Sequence, residues 1–151
     1  MVKKTKDLKY YEAIGRRKEA VARVRLYIVG KDKSISFDGK KVKAGEILVN
    51  KKPIDNEFPS PAEKKVYLAP LKLTQNENRF AIVILTKGGG RSGQLDAVVH
   101  GLSRAIEKVD KEAYRPILKK QGLFTRDART RERRKVGTGG KARRAKQSPK
   151  R

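Results

Sequence analysis

The sequence predicts an α+β two-layer sandwich carrying a long basic C-terminal extension, and three observations predict it. An alternating apolar stretch opens the ordered part of the chain, a continuous β-branched run lies further on, and the apolar residues after that run recur at helical spacing. Strands first, then a central strand followed by helices, leave one helical layer packed on one face of a sheet. The 151 residues, 36% of them hydrophobic, suit one modest core with an extension beyond it. The sequence contains no internal repeat.

Residues 1–9 read as a flexible basic lead-in, and the globular domain is expected to span residues 10–125. From Ala20 to Val29 the residues alternate, with Ala20, Ala22, Val24, Leu26 and Ile28 on one face and Arg23, Arg25 and Tyr27 on the other, which predicts a half-buried first strand. Gly30 to Lys33 reads as a turn, and Ser34 to Phe37 as a short second strand closed by Asp38-Gly39 in a hairpin. Between Lys40 and Ala69, Pro53, Pro59 and Pro61 interrupt the pattern and no clean period survives. A short helix starting at Ser60-Pro61 is expected there, with Ser60 as cap and Pro61 in the first turn.

Phe80 to Thr86, FAIVILT, has the composition of a central strand covered on both faces. It runs into a loop from Lys87 to Gly93, KGGGRSG. Then Leu95, Val98, Val99, Leu102, Ala105, Ile106 and Val109 line one side of an amphipathic helix, leaving Asp96, His100, Arg104, Glu107 and Lys108 on the other. A second short helix from Lys111 to Lys120 is stopped by Gln121-Gly122, where glycine supplies the left-handed cap. Leu123 and Phe124 read as the last residues docked on the core.

Residues 126–151 have a different character. They hold twelve Lys/Arg against only Asp127 and Glu132, and Val136 is their single large apolar side chain. Such a segment cannot offset its own ordering entropy by folding on itself, so it is expected to stay extended until a partner orders it. Over the whole chain 40 Lys/Arg face 16 Asp/Glu, a formal net charge of +24. Self-repulsion of that size calls for a polyanionic partner, and the arginine bias of the tail favours phosphate, which a guanidinium grips through paired hydrogen bonds. These observations point to nucleic acid.

Other chemistries have little support. With no cysteine, disulfide frameworks, thiolate metal sites and thiol nucleophiles are excluded, and the single histidine rules out a site built on several imidazoles. No catalytic residue, metal ligand set or cofactor site is expected. The N-terminal residues lack the apolar stretch of a secretory signal and no later run reaches membrane-spanning length, so a cytoplasmic protein without a membrane partner is expected.

Three constellations can carry function. Gly15-Arg16-Arg17-Lys18, just ahead of the predicted first strand, reads as a phosphate clamp that Arg23 and Arg25 extend along the strand, against the plainer reading of a solvated edge. Lys87, Gly88, Gly89, Gly90 and Arg91 form a glycine loop before a helix, a place where amides can cradle phosphate. The P-loop spacing is absent and no ribose-binding acid follows a strand, so contact with an RNA backbone is favoured over a bound nucleotide, with a tight strand-to-helix turn as the structural alternative. His100 could act as a general base but has no team: Asp96 and Arg104, one turn to either side, read as ordinary helix-surface pairing. Tyr10, Tyr11 and Tyr27 could stack on unpaired bases, although recognition of folded RNA by shape and phosphate position is the favoured mode.

Taken in order, several stretches resemble one family. They are Tyr11 with Gly15-Arg16-Arg17-Lys18 and Ala22-Arg23-Val24, then Lys87-Gly88-Gly89-Gly90 with Ser92-Gly93-Gln94, and His100-Gly101 with Arg104-Ala105. They continue through Thr125-Arg126-Asp127-Ala128-Arg129, Glu132-Arg133, Lys135-Val136-Gly137 and Lys141-Ala142-Arg143-Arg144 to Lys150-Arg151. The pattern is similar to that of the universal small-subunit ribosomal protein nine family in its bacterial-type form, and is weakest between Lys40 and Leu73.

The resemblance implies the fold of the second domain of ribosomal protein five and a place in the head of the small subunit, among neighbouring head proteins and against ribosomal RNA. It implies a structural constituent of the ribosome with no enzymatic activity. The tail would thread through RNA towards the peptidyl site, where Lys150 and Arg151 would touch tRNA. The expected RNA-binding set is Arg16, Arg17, Lys18, Arg23, Arg25, Lys87, Gly88, Gly89, Gly90 and Arg91 in the domain. In the tail it is Arg126, Arg129, Arg133, Arg134, Lys135, Lys141, Arg143 and Arg144. The chain departs from the family pattern at Thr138-Gly139-Gly140, Ala145-Lys146, Ser148 and Pro149; the proline fixes one backbone angle and removes an amide donor next to the terminal pair. The alternative from another class is an RNA-processing ribonucleoprotein subunit on a similar fold.

Overall fold

The computed structural model describes residues 10–30 and 34–133. A five-stranded sheet of order β1-β2-β7-β5-β6 is built from β1 (Tyr10–Arg17), β2 (Ala20–Ile28), β5 (Ile47–Val49), β6 (Lys52–Pro53) and β7 (Phe80–Lys87). A separate hairpin joins β3 (Ser34–Phe37) to β4 (Lys40–Lys43), and the helices are α1 (Ile54–Glu57), α2 (Pro61–Leu73), α3 (Arg91–Val109) and α4 (Lys111–Lys120). The architecture is mixed α+β.

The sheet opens one element earlier than the sequence predicts. Gly15, Arg16 and Arg17 are not ahead of the first strand but at the end of β1, which pairs antiparallel with β2 through the two-residue turn Lys18-Glu19. Lys18 takes a left-handed φ of 50° there without the Asn-Gly or Asp-Gly signature that marks such turns. The buried positions of β1 are Ala13 and Gly15, with Tyr11 packed against the core beside them, and the two small residues do not register as an apolar alternation. Asp38-Gly39 does carry the signature, with φ of 49° and 81°, and closes β3 onto β4 as expected.

β7 is the central strand, antiparallel to β2 and parallel to β5. Its continuous apolar run serves two cores. Phe80, Ile82 and Ile84 join Ala22, Val24 and Leu26 of β2 under the helices, meeting Val98, Leu102, Ala105 and Ile106 of α3, Tyr67 and Leu71 of α2 and Leu118 of α4. Ala81 and Val83 point the other way, into a smaller cluster with Tyr27, Leu48, Ile35 and Val42. The β3–β4 hairpin thus covers one end of the outer sheet face, so Tyr27, assigned to the polar side of its strand, is buried, while Ile28, assigned to the core, is 47% exposed.

The illegible stretch from Lys40 to Ala69 holds β4, β5, β6, α1 and most of α2. Strands of two to four residues are too short to display a period. α2 starts at Ser60-Pro61 as expected, with the Ser60 amide donating to Glu63 Oε2 at 3.2 Å. α3 begins at Arg91 and so takes in Arg91, Ser92 and Gly93, the last three residues of the expected loop, because Gly90 serves as its N-cap. α4 is capped by Asp110, whose Oδ1 accepts from the Ala113 amide at 3.0 Å, and Gly122 ends it at φ 69°. Leu123 and Phe124 pack against the core.

β1 and α3 approach each other closely at Gly15. A Cβ built on Gly15 would lie 1.9 Å from the Ala97 carbonyl oxygen and 2.3 Å from the Gly101 nitrogen. Gly15 therefore serves helix packing, with strand and helix backbones in direct contact.

Candidate nucleic-acid interface

Strand register decides which cations share a surface. Residues paired across a sheet project to the same side. The outward rows, starting from the uncovered end and running towards the end that the hairpin covers, are Arg16, Val21 and Lys87, then Ile14, Arg23 and Leu85, then Glu12, Arg25 and Val83. Arg16, Arg23, Arg25 and Lys87 thus converge on one face from three adjacent strands. Glu12 is the acid among them, taking a hydrogen bond from Arg25 Nε at 2.7 Å with Arg23 at 3.9 Å. The Arg25 guanidinium also lies over the Tyr10 ring, 5.2 Å from its centroid, and the Glu12 hydrogen bond raises its pKa. Val21 and Leu85 give this open end a half-buried apolar floor, in a groove of about 520 Å³ walled by Arg23 and Lys87.

The consecutive Arg16, Arg17 and Lys18 do not act as one clamp geometrically, because strand alternation sends them to different places. Arg16 faces outward and is exposed, and Lys18 sits in the turn. Arg17 points to the helical side, where Nε meets Asp96 of α3 at 3.3 Å and Nη1 meets Asp127 at 2.5 Å. Arg17 therefore ties β1, α3 and the root of the C-terminal segment together. Asp127 is further held by Arg129, through both the backbone amide and the side chain at 3.0 Å, and these contacts, the Arg129 side chain first, hold its carboxyl far below the usual range.

The glycine loop has a structural explanation for two of its three glycines. Gly88 and Gly89 adopt φ of 73° and 63°, and a Cβ on either would press within 3 Å of Glu19 or Ala20. The loop is thereby stacked on the β1–β2 turn, and Lys87 and Lys18 come to the same end of the sheet. Gly90 faces open space at the start of α3, and Arg91 beside it is paired with Glu63 at 2.6 Å.

A second charged surface lies on the free edge of β1. His100, Arg104 and Lys108, one helical turn apart on α3, meet alternate backbone groups of the strand. His100 Nδ1 accepts from the Arg16 amide at 3.3 Å, Arg104 Nη1 donates to the Ile14 carbonyl at 2.6 Å, and Lys108 Nζ donates to the Glu12 carbonyl at 2.6 Å. Four residues of helix rise ~6.0 Å and two residues of strand ~6.6 Å, so three helix side chains stay in step with an edge that would otherwise be open to another strand. His100 is buried, not on the solvent side of its helix, and Asp96 and Arg104 serve β1 rather than pairing with it. Burial first and then the Arg104 guanidinium push the His100 pKa below its ordinary value, with Arg126 adding to the effect. A stripe of polar residues at four-residue spacing was the available signal for this surface, and it reads in sequence as an ordinary solvated face.

Among the described residues no group of His, Cys, Asp or Glu could hold a metal ion, and no helix is long and apolar enough to cross a membrane. A hollow of about 770 Å³ between α2 and β5 is rimmed by ions such as Lys64 and Asp55 that pair with each other at 3.1 Å. It lies apart from the cationic end. Of the tail residues expected to bind RNA, Arg126, Arg129 and Arg133 are exposed; Arg134, Lys135, Lys141, Arg143, Arg144, Lys150 and Arg151 lie outside the described residues, as do residues 1–9 and residues 31–33 of the turn expected from Gly30 to Lys33.

Comparison with known proteins gives the same direction. The family model for ribosomal protein S9/S16 matches residues 15–151. Small ribosomal subunit protein uS9 of Maridesulfovibrio salexigens is 45% identical over 136 residues, covering 90% of this chain and 92% of the relative. Small ribosomal subunit protein uS9 of Solidesulfovibrio magneticus is 42% identical over 131 residues, covering 87% and 89%. The chain belongs to the ribosomal protein S9/S16 family, a family of structural, non-enzymatic ribosomal proteins.

Proposed function

We propose that this protein is a structural constituent of the small ribosomal subunit, in the cytoplasm, where it binds ribosomal RNA in the subunit head beside neighbouring head proteins. The observation that carries the reading is the convergence of Arg16, Arg23, Arg25 and Lys87 on the uncovered end of one sheet face, with Glu12 as the acid between them. Cations held on a rigid sheet position phosphates without spending further ordering entropy, which is the contact that fixes a protein's register on RNA. Its fold is read as that of the second domain of ribosomal protein five, with residues 10–125 as the domain and 126–151 as an extension. Arg17 and Asp127 fix where that extension leaves the domain. From there Arg126, Arg129, Arg133, Arg134, Lys135, Lys141, Arg143 and Arg144 follow RNA, and Lys150 and Arg151 reach peptidyl-site tRNA.

Salt dependence of binding tests the reading. Each neutralised phosphate steepens the log-log salt slope by ~0.7 to 0.9, so replacing Arg23 and Lys87 together by Gln should lower the slope on small-subunit ribosomal RNA by ~1.4 to 1.8. A slope unchanged in the double variant contradicts the assignment of the sheet face. Stimulation of precursor RNA cleavage by the isolated protein would instead favour an RNA-processing subunit.

A further inference from the structure

Between β1 and α3 lies a cleft of about 430 Å³, lined by Glu12, Ala13, Ile14, Arg16, His100, Arg104, Lys108 and Arg126. Four of these are cations and one is an acid. Glu12 is engaged on its other side by Arg25 at 2.7 Å. Arg104 and Lys108 donate to neutral backbone carbonyls, and neither they nor Arg16 nor Arg126 has a carboxylate partner among the described residues. A guanidinium has five donors in a fixed fork, so one bond to the Ile14 carbonyl leaves most of Arg104's capacity directed elsewhere. Like charges gathered in this way repel unless an anion sits among them.

We propose that this cleft seats one phosphodiester of ribosomal RNA, gripped by Arg104, Lys108, Arg126 and Arg16, as a site separate from the open sheet face. The proposal rests on the reading that the chain binds ribosomal RNA. Paired guanidinium donors match the oxygens of a phosphate, and the walls are arginine-rich. Arg16 lies on both surfaces, lining the cleft and standing in the outward row with Lys87, so a strand of RNA lying across the sheet face can enter the cleft at Arg16. The short reach of Arg104 and Lys108 is set by their bonds to β1, so the site is preformed. His100 forms part of the lining and is the only histidine in the chain, which makes its imidazole a reporter confined to this site.

The test uses the full chain. Small-subunit ribosomal RNA and, separately, inorganic phosphate are titrated while the His100 imidazole resonances are followed, and RNA affinity is measured against salt for Arg104→Gln with Lys108→Gln and for Arg126→Gln alone. The expected result is a saturable shift of the His100 signals with RNA. The salt slope should fall by ~1.4 to 1.8 in the double variant and ~0.7 to 0.9 in the single one. Arg126 lies beyond the last helix, so its variant stays informative even if the double variant folds poorly. Because Arg126 also begins the extension, its slope loss counts for the cleft only where the RNA-induced shift of the His100 signals is diminished in the same variant. A slope loss with that shift unchanged assigns Arg126 to the extension and overturns its place in the cleft. Undiminished slopes in both, with the Arg23 and Lys87 variant still impaired, overturn the cleft site and leave the sheet-face reading standing. Undiminished slopes in all three overturn both. A His100 response to inorganic phosphate with none to RNA makes the cleft a free-phosphate site and also overturns the proposal.

Discussion

Gly15→Ala adds one methyl group where two backbones already touch. The new Cβ would lie 1.9 Å from the Ala97 carbonyl oxygen and 2.3 Å from the Gly101 nitrogen, both main-chain atoms that no rotamer change can move. Ordinary contact needs about 3.4 Å, so β1 and α3 must part by more than an ångström. Overpacking alone costs ~1 to 3 kcal/mol. Parting the two elements also lengthens the bonds from His100, Arg104 and Lys108 to the β1 backbone, each contributing ~0.5 to 3 kcal/mol with the charged donors at the upper end. A loss of at least ~3 kcal/mol is expected, a large share of the ~5 to 15 kcal/mol that holds a domain together. Urea unfolding of the full chain measures it: with a slope of ~2 kcal/mol per molar, the midpoint should fall by ~1.5 M or more. A midpoint lowered by less than ~0.5 M would refute the claim that Gly15 is a packing glycine.

Further outcomes follow from the same geometry. Asp127→Asn weakens the grip of Arg17 and Arg129 on the root of the extension, so the Arg129 amide should lose hydrogen-exchange protection while the core keeps its own; unchanged protection would count against the latch. His100 has a folded pKa below its unfolded value of ~6.5, so the folded state binds fewer protons, and stability that is full above that value is lost as pH falls through the folded pKa. The imidazole faces the Arg16 amide, Arg104, Arg126 and the Phe124 backbone, and Glu12, the acid of the same cleft, is held by Arg25. Lowering the pH from 7.5 to 5.5 should therefore reduce the urea midpoint in the wild-type chain and do so less in His100→Gln; equal losses would contradict the sign. Deleting Lys150 and Arg151 should leave small subunits of normal composition that hold peptidyl-site tRNA less tightly, and failed assembly would make the tip an assembly element instead.

The long elements were legible in the sequence because their signals repeat. β7 and α3 show composition and period over eight and nineteen residues, and the starts and stops at Ser60-Pro61 and Gly122 rest on local chemistry that tertiary context did not override. β1 was missed because its buried positions are Ala13 and Gly15, small for a reason that only the approach of α3 reveals. The short strands and α1 lie below the length at which a period exists. Among the candidate site residues, Arg23, Arg25 and Lys87 were visible as cations, but their meeting on one face is a property of strand register, which non-local pairing decides. The same alternation separates Arg16 from Arg17, adjacent in sequence and on opposite sides of the sheet. Arg104 and Lys108 were hidden because their carbonyl partners on β1 lie 90 and 96 residues away.

The most direct test of the central claim is ultraviolet crosslinking with mass spectrometry on small subunits purified from cells that express this chain. The protein is expected to co-purify in stoichiometric amount, with nucleotide-linked peptides mapping to β2 around Arg23, to the start of the glycine loop at Lys87 and to the segment beginning at Arg126. A chain absent from the subunits, or one present there with crosslinks confined to the β3–β4 hairpin and α4, would contradict the claim.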